Sequence, residues 1–159
     1  MKSLQIAVSS GEEAQYNDWD GDHIVTTTKA SARAYEEAGI SRPREEISMM
    51  EVHDCFSITE LVTYEDLHIA QRGNAVKDVL DGFFDLRNNG VPCQVDGGLK
   101  CFGHPIGASG LRMIYEMYLQ FHDRAGQRQL KNPKFGLTHN LGGFPFMNIS
   151  SITIVGKYH

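Results

Sequence analysis

No run of apolar residues in the sequence approaches the roughly 20 needed to cross a bilayer, so there is no candidate membrane span. The opening Met1-Lys2-Ser3-Leu4-Gln5 does not begin a signal peptide either. Positive charge is short: 15 Lys and Arg against 20 Asp and Glu leave a net charge of −5, which argues against nucleic acid or an anionic membrane as partner. Cysteine is scarce and odd in number, with Cys55, Cys93 and Cys101 forming no paired framework. CxxC and HxxxH spacings are both missing, so no metal site is expected. There is no internal repeat, low-complexity tract or linker to split the chain. The 159 residues, 41% of them hydrophobic, are therefore read as one domain spanning 1–159 with a core of its own, and as a cytoplasmic one.

Glycine, in contrast, is abundant and clustered. Five of the 16 fall between Gly97 and Gly110, and Gly142–Gly143 follow later. Such clusters mark places where the backbone approaches something closely. Between them the chain alternates strand and helix patterns. Leu4–Val8 alternates as a strand, and Gly11–Asp22, with the single tryptophan Trp19, reads as an acidic surface loop or lid. Thr26–Ala38 reads as a helix capped by threonine, striped by Ala30, Ala34, Tyr35 and Ala38, and stopped by Gly39. A polar turn at Arg42–Glu46 precedes an apolar strand, Ile47–Val52. Helices are expected over Ser57–Ile69, with Ser57 as a candidate cap, and over Val76–Leu86. Val91–Val95 makes a short strand. A strongly amphipathic helix carries Leu111, Ile114, Tyr115, Tyr118, Leu119 and His122, and Phe135–Thr138 and Ile149–Val155 close the chain as strands. This order predicts a layered α/β domain with a mixed sheet.

Three loops have residues suited to chemistry. Glu51–Phe56 joins a buried strand to a helix, where α/β proteins build sites, and holds His53, Asp54 and Cys55. The plain alternative is a packed, inert thiol behind a helix-start pair. Gly98–Gly110 contains His104, which Pro105 holds in extended backbone, and Gly107 and Gly110, which let the chain turn into a helix. It matches neither a P-loop nor a dinucleotide fingerprint, and a purely structural glycine corner is the alternative. Thr138–Phe144 includes His139, Asn140 and the pair Gly142–Gly143, whose amides suit an oxyanion hole or an ordinary hairpin turn. His23, His68, His122 and His159 are placed on the surface without a role.

In this order, HDCF (His53–Phe56), GHPIGASG (Gly103–Gly110) and HNLGG (His139–Gly143) resemble the C-terminal half of a thiolase. Within that superfamily they are most similar to archaeal and bacterial acetyl-CoA acetyltransferases and to the sterol carrier protein-type branch. The resemblance runs from about Leu4 to the C-terminus. It implies a C-terminal thiolase-like domain, with a mixed five-stranded sheet carrying helices on both faces. It also implies acyl transfer between coenzyme A thioesters in lipid metabolism, with no bound cofactor. His104 would activate the nucleophilic cysteine. Asn140 stands where most thiolases carry their second cysteine, and in this branch that proton-transfer role moves to Cys55. His53 would stabilise the thioester oxygen, and Gly142 a second oxyanion, with Gly107, His139 and Asn140 beside the substrate. The nucleophile itself belongs to the family's N-terminal half. The chain is therefore expected to need that half as a separate partner chain, to be inactive alone, and to work as a hetero- or homo-oligomer. A zinc-ribbon/OB-fold accessory protein is a further candidate partner. The alternatives are a thiolase-like retro-aldolase subunit acting on acyl-CoA adducts and a non-catalytic assembly module.

Overall fold

The computed structural model describes residues 1–10, 21–144 and 147–157. The expected loop or lid at Gly11–Asp22 falls largely outside them, as do Trp19 and His159. Chain order is β1 (Ser3–Val8), α1 (Val25–Ala38), α2 (Pro43–Glu46), β2 (Met49–Glu51), α3 (Ser57–Asp66), α4 (Ala75–Leu80), α5 (Gly98–Phe102), α6 (Ser109–Phe121), β3 (Phe135–Phe144) and β4 (Met147–Gly156). The strands form one mixed sheet of order β1-β4-β3-β2. β2 runs parallel to β3, and the other pairs are antiparallel.

The sheet has four strands among the described residues, where five were expected. Val91–Val95 contributes only a bridge between Met50 and Cys93. Pro92 has no N–H to give to a ladder, and Gln94 turns out of the extended region at φ 55°. Other boundaries shift for local reasons. The α1 cap is not a threonine: Asp66 Oδ2, from the end of α3, accepts the Ile24 N–H at 2.8 Å. Ser57 makes no cap bond. The polar turn at Arg42–Glu46 is the short α2, and the helix expected over Val76–Leu86 ends at Leu80. Gly39 does end α1 in the left-handed conformation, at φ 70°.

Both sheet faces are covered, unequally. Met50, Leu137, Ile152 and Ile154 pack with Ala30, Ala34 and Tyr35 of α1 in the main core. On the opposite face Met49 packs with Met117 and Phe121 of α6. A methyl group at Gly136 would stand 2.7 Å from Met117 Sδ, so the bare backbone lets α6 lie close.

α6 covers the β2–β3 side of that face and reaches β4 at Val155. Cross-strand pairing puts Leu4, Ile6 and Val8 on the same face as Thr153, Ser151 and Ile149. Their side chains are 51%, 53% and 67% exposed, while Ser3 and Gln5 point inward and donate to Glu37 Oε2 of α1, each at 2.7 Å. The apolar stripe of β1 thus faces out. On α6, Leu111, Tyr115 and Tyr118 are exposed, and Met113, Met117, Gln120 and Phe121 are buried. Both sets of apolar side chains are uncovered.

Candidate active site

β2 ends at Glu51, and the next residues leave the sheet toward α3 carrying His53 and Cys55. Two side chains fix this turn. Gln94 donates through Nε2 to the Val52 carbonyl at 2.6 Å. Asp54, buried, accepts the Leu99 N–H at 2.8 Å and the Lys100 N–H at 3.4 Å. Asp54 therefore ties the His53 loop to α5, the element just before His104. A methyl group at Gly98 would come within 2.5 Å of Asp54 Oδ2, which explains a glycine there. Gly103, at φ 79°, makes the turn that presents His104.

The result is a cavity of about 570 Å³ lined by His53, Cys55, His104 and Gly142. Ile24, Phe56, Ile58, Val62 and Ile106 supply apolar walls, and Asn148 adds a polar group from β4. The His53 and His104 rings meet edge to face, centroids 5.0 Å apart and planes at 83°. Burial and the neighbouring His104 hold the His53 pKa below its ordinary value, against the opposing pull of Asp54, so His53 is neutral at physiological pH. Cys55 is a free, exposed thiol on the cavity wall, whereas burial pushes the Cys93 thiol pKa well up, and Cys93 does not line the cavity.

Three expected site residues lie elsewhere. His139 is fully buried on the α1 face, its Nε2 3.1 Å from Thr27 Oγ1. Burial, with nearby His53 second, pushes its pKa down to about 3. Asn140 points to the α6 face, where a methyl group at Gly110 would approach its side-chain amide to 3.3 Å. Gly107 sits in the exposed loop before α6, with no protein atom near the position of a side chain. Gly142 and Gly143 lie inside β3, paired with Ile149 and Asn148, so they are not the hairpin turn.

The sequence reading passed over several supporting residues. Ser109 Oγ is 2.7 Å from His104 Nδ1. Thr26 hydrogen-bonds Asn148, anchoring that cavity residue to α1. Glu51, fully buried below the His53 turn, accepts the Val95 N–H at 3.1 Å. Burial and the Asp96 carboxylate push its pKa up to about 9, although Arg112 Nη2 stands 3.6 Å away. Ser109 and Glu51 had a visible signal, their places in the glycine-rich motif and in the Glu51–Phe56 loop.

Residues 9–157 match the family model for thiolase C-terminal domain-like proteins. The chain belongs to that family. It is 35% identical over 137 residues to the acetyl-CoA acetyltransferase of Methanothermobacter thermautotrophicus, covering 86% of this chain and 35% of that protein. Sterol carrier protein 2 of Bos taurus is 40% identical over 147 residues, covering 89% and 26%. The benzoylsuccinyl-CoA thiolase subunit BbsB of Thauera aromatica is 34% identical over 149 residues, covering 89% and 37%. This thiolase C-terminal domain therefore spans well under half the length of these relatives. A solved structure titled "Ltp2-ChsH2(DUF35) aldolase" superposes with a TM-score of 0.73 at 19% identity, over 96% of this chain and 38% of that one, which speaks to fold. Among the described residues no helix is long and apolar enough to cross a membrane, and no group of three or more His, Cys, Asp or Glu is placed to hold a metal ion.

Proposed function

We propose that this domain is the C-terminal catalytic half of a split thiolase, acting on coenzyme A thioesters with an N-terminal partner chain that brings the nucleophilic cysteine. The observation that carries this reading is the single cavity shared by His53, Cys55, His104 and Gly142. In the thiolysis direction, His104 takes the proton of the partner's thiol. The thiolate attacks the 3-keto carbonyl of the substrate, and His53 and the Gly142 amide steady the oxygens on which charge develops. The bond between the α- and β-carbons breaks, its electron pair stays on the α-carbon, and Cys55 protonates that carbon. Coenzyme A thiol then gives its proton to the Cys55 thiolate and attacks the acyl thioester, releasing the partner's sulfur, which recovers the proton from His104. The Claisen condensation is the same path reversed.

The partner would seat on the uncovered face of Leu4, Ile6 and Val8 with Leu111 and Tyr115 of α6, because a broad exposed apolar surface marks an interface. Cytoplasmic location and a hetero-oligomer belong to the same reading. A second accessory protein, of zinc-ribbon/OB-fold type, belongs to the same reading; the solved neighbour, named as an aldolase of Ltp2 with ChsH2(DUF35), supports association as such. That name also supports a second reading, retro-aldol cleavage of an acyl-CoA adduct, in which no thiol nucleophile is needed.

The test is to purify the tagged chain with whatever accompanies it, add a 3-ketoacyl-CoA without free coenzyme A, and quench in acid. The thiolase reading expects an acyl group on a cysteine of the accompanying chain. Cleavage of a 3-hydroxyacyl adduct with no acylated cysteine selects the aldolase. A lone chain that binds no coenzyme A thioester contradicts both and leaves an assembly module.

A further inference from the structure

His104 lies in an exposed loop, yet one of its ring nitrogens is committed to a buried group. Its Nδ1 is 2.7 Å from Oγ of Ser109, the first residue of α6, which is 1% exposed. Only Nε2 is therefore left to face the cavity. The tautomer of a neutral imidazole is set by the hydrogen bond its other nitrogen makes. A serine hydroxyl either gives or accepts a proton, and here Oγ also faces the Pro105 carbonyl at 3.4 Å, so its own proton has an acceptor other than the ring. Pro105 O already takes the Ala108 and Ser109 amides, so the loop, the start of α6 and the ring close into one hydrogen-bonded unit.

We propose that Ser109 is a positioning residue that accepts a hydrogen bond from His104 Nδ1–H, leaving Nε2 unprotonated and aimed at the cavity as the base. When Nε2 takes a proton, the imidazolium keeps the same Nδ1–H···Oγ bond, so the ring charges without turning. The opposite tautomer, with the hydroxyl donating to Nδ1, would put the proton on Nε2 and remove its basic lone pair. The inference rests on the reading of His104 as proton acceptor from the partner's thiol.

The test begins with the unmodified chain. Long-range proton–nitrogen NMR correlations of the His104 ring, recorded above its titration, report which nitrogen holds the proton. The proposal expects Nδ1–H, and a ring that is mainly Nε2–H overturns it. Ser109→Ala should abolish the preference and Ser109→Thr should keep it, whereas an alanine variant with unchanged tautomers also overturns the proposal. In the partner complex, Ser109→Ala should lower kcat by about tenfold or more and alter the acidic limb of the pH profile, with KM little changed. Loss of turnover in His104→Ala beside unaffected turnover in Ser109→Ala overturns the positioning role and spares the base. Unaffected turnover in both, with the expected tautomer, supports Ser109's hold on the ring and overturns the base reading.

Discussion

The imidazoles of His53 and His104, delivered by separate loops, meet edge to face at 5.0 Å across one cavity wall. Two neighbouring rings cannot readily carry charge together, and His53 is the buried member with the depressed pKa. His53 is thereby the neutral hydrogen-bonding ring, and His104 is the more exposed of the two. In the partner complex, His104→Ala should lower kcat by about 10²- to 10⁴-fold. His53→Ala should lower it by about 10²- to 10³-fold. The double variant should fall well short of the product, because both serve one transition state. Strict multiplicativity in steady-state rates would show that the two rings act separately.

His139 gives a prediction about stability. Its folded pKa, pushed down to about 3 from the usual 6.5, means the unfolded chain binds the extra proton first on acidification. Its contribution is complete above about pH 6.5 and is lost as pH falls toward 3, at up to about 1.4 kcal/mol per pH unit. Comparing urea unfolding of the native chain with His139→Gln cancels the other titrating groups. The native chain should lose stability relative to the variant across this window, and parallel curves would refute the assignment.

The outward stripe of β1 leads to a binding prediction. Ile6→Asp changes a side chain that is already 53% exposed, so the isolated chain should keep its stability within about 0.5 kcal/mol. Affinity for the partner chain should drop by at least about tenfold, since a charge would be buried in an apolar interface. Equal co-purification of variant and native chains would remove this face as the docking surface.

Gly142 separates site from scaffold. Its backbone is outside the left-handed region, and a methyl group there would lie 3.7 Å from Ile149 Cγ2, an ordinary contact. Gly142→Ala should therefore leave Tm unchanged or slightly raised, while narrowing the cavity beside Cys55 and His104 and raising KM for the coenzyme A thioester. Unaltered kinetics would place the substrate elsewhere.

The strand–helix order was legible in the sequence because periodicity encodes it, whereas helices on both faces and a shared site for the three motif loops followed from the resemblance of HDCF, GHPIGASG and HNLGG to thiolases. The direction of the stripes was not legible. The alternation of Leu4, Ile6 and Val8 marks a strand without saying which side faces in, and they face out because Ser3 and Gln5 satisfy Glu37 on the α1 side. In α6, Met117 makes the core contact with Met49, and Tyr115 is left exposed. His139 and Asn140 precede the cavity residue Gly142 in the motif but alternate to opposite faces of β3, which a list of loop residues does not convey. Ser109 and Asp54 act across turns that only the folded backbone closes.

Proton transfer by Cys55 is the claim on which the split-thiolase account turns. Exchange of the α-protons of acetyl-CoA for deuterium, followed by mass spectrometry in the native and Cys55→Ala complexes, tests it directly. The account predicts steady exchange in the native complex and a loss of at least about 10²-fold in the variant, with the partner's cysteine still acylated. Exchange at the native rate without the Cys55 thiol would contradict it.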